Sequence, residues 1–192
     1  VIELRDLVER FHREMAKATA AGVYEPTALS LATVAARPSV RMVLLKEATE
    51  RGFVIYTNLE SRKGRELAVN AWAALCFWWG PIHTQVRVEG RVELVTAAEA
   101  DAYFASRPRA KQLSAWASRQ SEPIASRDHL FDAVAKLEDQ YRGKEIPRPA
   151  HWTGIRVVPD RIEFWYGHED RLHERLDYRL EHGVWTERIL SP

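Results

Sequence analysis

The chain has 192 residues, 46% hydrophobic and 29% charged, a balance that suits one folded domain. Its formal net charge of +1 gives no bulk electrostatic case for nucleic acid or an anionic membrane as partner, so any anion site must be local. A single cysteine, Cys76, excludes a disulfide within the chain and points to a cytoplasmic setting; within the run AALCFWW it reads as a small buried hydrophobe. The longest apolar run, AWAALCFWW, is about half of what a membrane helix needs. The opening VIELRDLVERFHREM mixes acids into its apolar pattern and lacks signal-peptide design.

Leu4, Leu7, Val8, Phe11 and Met15 recur at helical spacing, which predicts an amphipathic helix over about 2–22. Strands follow at 27–36, 40–48 and 53–58 with short connections, an antiparallel meander. Ser61 is placed to cap a short helix ending near Asn70. AALCFWW (73–79) reads as a buried strand. TQVRVEGRVELV (84–95) alternates, with Val86, Val88, Gly90 and Val92 on one face and Gln85, Arg87, Glu89 and Arg91 on the other. From Thr96 the period turns helical, giving three helices over about 96–108, 110–123 and 126–143, capped by Thr96 and Ser126 and broken at Pro108 and Gly143. After the linker KEIPRP, strands return at 151–159, 161–167, 171–180 and 183–190. The whole, 1–192, reads as one mainly β domain with added helices (α+β), carrying a helical insert at 96–143 and a C-terminal strand region at 151–192. Without regular βαβ alternation, the sheet is expected to form an antiparallel barrel or sandwich.

Four cationic clusters are candidate sites. In RLHER, a strand would put Arg171, His173 and Arg175 on one face, roughly 6.5 Å apart. Like charges repel, so that arrangement calls for an anion against them. In YTNLESRKGREL, Arg62 and Lys63 would occupy the first turn of a capped helix, where free N–H groups and the positive dipole end gather. Cations there are unfavourable without an anion, which suits phosphate; a solvated basic turn is the plain alternative. In RMVLLK, Arg41 and Lys46 are five apart, so a regular strand puts them on opposite faces unless it twists or bulges. In AYFASRPRAKQ, Tyr103 and Arg107 share a helix face and could hold a second phosphate, whereas Pro108 bends or ends the helix before Lys111. A charge-assisted hydrogen bond contributes about 1.5–3 kcal/mol and an exposed ion pair about 0–1, so the clusters imply a ligand only where they converge. Seven tryptophans read as core and interface residues, with some available to line a pocket. No metal-site spacing, glycine-rich phosphate loop or Ser-His-Asp pattern is present.

RMVLLK, GFVIYTNLESRKGREL, QVRVEGRVE, YFASRPR, SRQS, IEFWYG and RLHERL occur together in that order. From about Pro26 to Pro192 the chain resembles the pyridoxine (pyridoxamine) 5′-phosphate oxidases. The resemblance implies an antiparallel, Greek-key-like split β-barrel that binds FMN at a homodimer interface. It also implies oxidation of pyridoxine or pyridoxamine 5′-phosphate to pyridoxal 5′-phosphate, with O2 reduced to H2O2. Carried over residue by residue, Arg41, Lys46, Tyr56, Thr57, Arg62, Lys63, Gln85, Gln120, Ser121, Trp165 and Arg175 match FMN contacts. Lys46, Tyr103 and Arg107 match substrate-binding positions, and Arg171 and His173 match catalytic residues beside the pyridine ring. By the same resemblance Lys111 is a substrate-binding residue on the phosphate, where relatives often carry a serine; Thr84 stands where Arg is common and Tyr166 where Gln is common. The rival readings are another flavin oxidase of phenazine-pathway type, which the intact RMVLLK disfavours, and a non-catalytic binder of FMN or pyridoxal phosphate.

Overall fold

The computed structural model describes residues 1–192. In chain order the elements are α1 (Leu4–Ala20), β1 (Ala28–Val34), β2 (Pro38–Leu44), β3 (Glu47–Thr49), β4 (Gly52–Asn58), α2 (Arg62–Val69), β5 (Trp72–Trp79), β6 (Thr84–Leu94), α3 (Ala97–Ser106), α4 (Arg109–Ala117), α5 (Arg127–Gln140), β7 (Trp152–Tyr166), β8 (Glu174–Glu181) and β9 (Val184–Ile189). Every strand pairing is antiparallel, and the path through the sheet runs β2-β1-β5-β6-β7-β4-β3. β6 occupies one edge of β7 from Ile155 to Tyr166. The other edge is shared, with β4 along Trp152–Val157 and β8 along Arg161–Tyr166. The sheet therefore splits midway along β7.

At the split the β6–β7 ladder slips between Glu89 and Gly90. Gly90 has no room for a side chain, since a Cβ there would lie 2.1 Å from the Val158 carbonyl oxygen. The extra residue is Asp160 on β7, and a bulge of this kind bends a strand without ending it. The strands expected at 151–159 and 161–167 are consequently one strand of 15 residues.

The sheet closes at its far corner. Leu45 and Lys46 link β2 to β3, and their N–H groups donate in opposite directions. Leu45 reaches Thr27 O at 2.9 Å, beside β1, and Lys46 reaches Val54 O at 2.8 Å, on β4. Leu29, Leu31, Leu75, Phe77, Val86, Val88, Ile162 and Phe164 point inward from alternate strand positions. Helix α1 plugs this barrel with Leu7, Val8 and Phe11. Phe11 is fully buried, its ring 5.2 Å from that of Phe53 and 4.9 Å from that of Phe77. Glu3 and Asp6 form a reciprocal capping box at the helix start.

Three expectations need correction. The 73–79 segment alternates rather than being buried on both faces; Trp78 is exposed and Cys76 is half-buried on the outer side. The second insert helix stops at Ala117 rather than near 123. Most consequentially, Arg171 and His173 are not on a strand, because β8 begins at Glu174. The segment before it is a turn that uses its own polar groups. Arg171 N donates to His168 O (3.1 Å), Leu172 N to Asp170 Oδ1 (2.9 Å) and His168 N to His173 Nδ1 (3.1 Å). Donors spent locally cannot feed a ladder, so the three cations do not share a strand face and only Arg175 lies in the sheet.

Replacing Phe11 with alanine removes the ring that joins α1 to the barrel, and is expected to lower unfolding stability by about 3–5 kcal/mol. Urea denaturation measures this; an unchanged midpoint would contradict the plug.

Candidate functional site

Two adjoining cavities lie along the corner where the sheet closes. The larger, about 590 Å³, is lined by Arg41, Lys46, Tyr56, Thr57, Arg62, Lys63, Gln120 and Ser121, among others. The smaller, about 270 Å³, shares Lys46, Tyr56, Thr57 and Gln120 with it and adds Tyr103, Arg107, Asn58, Trp152, Ser114, Ala115 and Ser118. Neither is lined by an Asp or Glu side chain, whereas together they draw on five cations. The strand-parity objection to Arg41 and Lys46 facing one site disappears because Lys46 lies beyond the end of β2, in the corner link. Tyr103 ends up near the last turn of α3 and Arg107 just past it, yet both face the smaller cavity.

Helix α2 presents its N-terminus to the larger cavity. Ser61 caps it by accepting from Gly64 N at 3.4 Å. Lys63 Nζ donates to Ser61 Oγ (3.0 Å) and Gln120 Oε1 (2.7 Å) and meets no carboxylate. Burial, helped by the Arg41 charge, pulls its pKa down to about 8. Glu66, one turn on, was not singled out from sequence, although its position four residues after Arg62 makes the pairing legible. Its carboxylate accepts from Ser39 (2.5 Å), Thr33 (2.5 Å), Arg62 (2.8 Å) and Arg41 (3.2 Å). The hydroxyl bonds lead the arginines in holding its pKa at about 2, against the opposing effect of burial. Glu66 thus fixes two of the cavity's cations.

Trp152, Tyr56 and Tyr103 form an aromatic wall in the smaller cavity. The Tyr56 and Tyr103 ring centroids are 3.9 Å apart and nearly parallel at 14°. The Arg107 guanidinium lies 4.6 Å from the Trp152 ring centroid. Burial lowers the Arg107 pKa and raises that of Tyr103. Two buried polar atoms here have no partner, Thr57 Oγ1 and Arg107 Nη1. Lys111 is exposed and lines neither cavity.

The remaining expected residues form a second group elsewhere. Gln85, Trp165 and Arg175 sit side by side across β6, β7 and β8, with Trp78 beyond Gln85 on β5. Arg175 Nε donates to Glu163 Oε1 at 2.8 Å, and this bond raises its pKa. The His173 ring lies 4.6 Å from Trp165. Because His173 Nδ1 accepts from His168 N, the neutral ring carries its proton on Nε2 and offers a donor there. Arg171 has φ 63° and Ser121 φ 76°, left-handed conformations that are strained in a residue with a side chain and cluster at functional sites. Gln85, Trp165, Arg171, His173 and Arg175 line neither cavity, whereas Ser121 lines the larger one. Thr57 faces Thr153 at the start of β7, and Gln85 faces Trp165 near its end, twelve residues on and beyond the bulge.

A family model described as pyridoxamine 5′-phosphate oxidase matches residues 15–141, and one described as the pyridoxine 5′-phosphate oxidase C-terminal dimerisation region matches 152–192. The chain belongs to the pyridoxamine 5′-phosphate oxidase family. A pyridoxine/pyridoxamine 5′-phosphate oxidase of Myxococcus xanthus (strain DK1622) is 54% identical over 189 residues, covering 97% of this chain and 92% of the relative. One from Synechocystis is 50% identical over 185 residues, covering 95% and 86%. Among solved structures, PhzG from Burkholderia lata 383, in complex with tetrahydrophenazine-1-carboxylic acid, is similar with TM-score 0.91 and 33% identity, covering 96% of this chain and 92% of that one. An FMN-binding protein related to pyridoxamine 5′-phosphate oxidase, from Nostoc punctiforme, shares the split-barrel fold with TM-score 0.75 at 16% identity, covering 95% and 97%.

The Lys63 shift has a defined sign. Its folded pKa of about 8 lies below the ordinary 10.5, so without ligand the fold gains stability as pH rises between these values, where the unfolded chain still holds the proton. An anion beside Lys63 reverses the shift, so binding takes up a proton. Affinity for a phosphate-bearing ligand is expected to fall as pH rises above about 8, and to fall much less in Lys63→Met. Titration calorimetry from about pH 7 to 9.5 checks this; a flat wild-type profile removes Lys63 from the ligand.

Proposed function

We propose that the protein catalyses FMN-dependent oxidation of pyridoxine 5′-phosphate, and of pyridoxamine 5′-phosphate with uptake of water and release of ammonia, to pyridoxal 5′-phosphate, with O2 reduced to H2O2. We further propose that it works as a homodimer whose sites draw on both chains. The observation that carries the reading is the pair of connected cavities, free of lining carboxylates and lined by Arg41, Lys46, Arg62, Lys63 and Arg107. They suit two anionic ligands side by side.

The residues present fit FMN. The start of α2, Arg62 and Lys63 form an anion-binding end with no acidic residue in the first turn, and Arg41 supports it. The unpartnered Thr57 Oγ1 leaves a buried hydroxyl for a polar ring edge. Arg41, Tyr56, Thr57, Arg62, Lys63, Gln120 and Ser121 would hold the cofactor from one chain. Gln85, Trp165 and Arg175, which line neither cavity of their own chain, would come from the second copy, in keeping with the match of 152–192 to a dimerisation region. The chemistry FMN supplies when bound is acceptance of a hydride from the substrate carbon bearing the alcohol or amine, followed by delivery of both electrons to O2.

The chain's own side chains bind and orient. Tyr103 and Arg107 take the substrate phosphate, with the unpartnered Arg107 Nη1 as a ready donor. Lys46 lines both cavities and sets a positive charge between the two ligands. Arg171 holds the polar edge of the pyridine ring and favours its ionised form. His173, with its proton on Nε2, donates a hydrogen bond that orients the ring rather than removing a proton through that atom. A phenazine-type oxidase is the second reading, favoured by the likeness to PhzG; the relatives at 54% and 50% identity support the first more strongly.

Incubating the protein with FMN and pyridoxine 5′-phosphate in air should yield pyridoxal 5′-phosphate and H2O2 in equal amounts. Bound flavin that neither this substrate nor the amine reduces would favour the phenazine-type enzyme or a binder. In single-turnover measurements Arg171→Ala is expected to slow the reaction more than His173→Ala, since Arg171 alone carries a permanent charge. The opposite ranking would overturn the assigned roles.

A further inference from the structure

The proposed reading leaves the substrate's phosphate with Tyr103 and Arg107, and leaves open which further group completes the subsite. The resemblance assigns Lys111 to the phosphate, but it is exposed and outside the cavity. On that reading of the site, we propose that Ser114 supplies the missing donor, so that the phosphate-binding hydroxyl of this chain lies one helical turn further along α4.

The geometry rests on α4. Ser114, Ala115 and Ser118 all line the smaller cavity, and at about 100° per residue they form one stripe of the helix. Lys111 falls on the same stripe one turn earlier, beyond the cavity's edge. Tyr103 and Arg107 meet the cavity from the α3 end, just before α4 begins, and Ser114 is the first polar α4 residue to face it from that side. The two halves of the subsite are tied together. Gln112 Nε2 donates to the carbonyls of Phe104 (3.0 Å), Ala105 (3.2 Å) and Arg107 (3.1 Å), which fixes the backbone beneath Arg107 to the same helix that carries Ser114.

The chemistry matches as well. A phosphate monoester offers only acceptors on its ionised oxygens, so each group around it must donate. Ser114 Oγ donates to Ala110 O at 2.8 Å, the ordinary bond of a helical serine back to the preceding turn. That carbonyl is also the natural acceptor for the Ser114 N–H, so the hydroxyl can rotate to a ligand without orphaning it. Ser114 is exposed on its helix, and alanine there keeps the helix while deleting only the donor.

The experiment compares wild type, Ser114→Ala and Lys111→Ala as FMN-loaded enzymes, measuring KM and kcat for pyridoxine 5′-phosphate. In parallel, absorbance titrations of the same proteins compare affinity for pyridoxal 5′-phosphate with that for pyridoxal, which lacks the phosphate. Ser114→Ala is expected to raise KM and weaken pyridoxal 5′-phosphate binding by about 5–10-fold, with kcat, pyridoxal binding and melting temperature held. Lys111→Ala should stay within about twofold throughout. An unchanged KM in Ser114→Ala, an equal loss of pyridoxal and pyridoxal 5′-phosphate, or a larger effect from Lys111→Ala would overturn the assignment. A wild type that binds the phosphorylated compound but turns nothing over would defeat the oxidase reading and leave the Ser114 comparison intact.

Discussion

The rest of the structure depends on the corner at Leu45 and Lys46. Two consecutive backbone N–H groups donate to opposite ends of the sheet, Thr27 on one side and Val54 on the other. This closes the barrel without a side chain taking part. It also suspends the two-residue alternation of a strand, and that suspension lets Arg41 and Lys46 line the same cavity from positions that a regular strand would oppose. Closure of the fold and assembly of the cationic site are thus one event. The bulge at Asp160, packed against Gly90, does the complementary work on the other side, bending β7 past the point where β4 leaves its edge and β8 takes over.

The site carries an electrostatic cost that the barrel core offsets. Lys63 is buried near Arg41 with no carboxylate of its own, and its lowered pKa records that the charged form is disfavoured there. Glu66 contains the cost by binding Arg41 and Arg62 with two hydroxyls beside them. One buried carboxylate against three neighbouring cations leaves an excess that an ionised phosphate would balance. A site poised in this way is less stable empty than filled, which is how binding free energy becomes folding free energy.

Much of this was readable from residue order, and the unread part has physical causes. The caps predicted at Ser61, Thr96 and Ser126 all accept from the helix N–H three residues on, because capping is a local interaction. The alternation of β6 held through its inward Val86 and Val88. Residues 151–167 read as two strands that part after Pro159; in the structure Asp160 is an extra residue bulged out of β7 opposite Glu89 and Gly90, and the strand runs through. Residues 171–173 read as the start of a strand because their alternating charges mimic one, and nothing local announces that His168 N is spent on the His173 ring. Trp152 joins Tyr56 and Tyr103 only once β4 and β7 pair and α3 folds across them. Ser114, by contrast, lay in plain view on α4, and only the cavity distinguishes it from Lys111.

The proposed reading makes one structural demand above all others. The two groups of expected site residues lie on different stretches of β7, and only the first lines the cavities. On that reading a second copy supplies the missing half. Mixing two inactive variants tests this directly, one lacking the cavity cation Lys63 (Lys63→Met) and the other lacking the distant Arg175 (Arg175→Ala). Refolded together, half-and-half dimers would each contain one site with both residues intact, and oxidase activity should reappear in the mixture while each variant alone stays inactive. Activity that never rises above that of the separate variants, in a mixture shown to contain hybrid dimers, would contradict a site shared between chains.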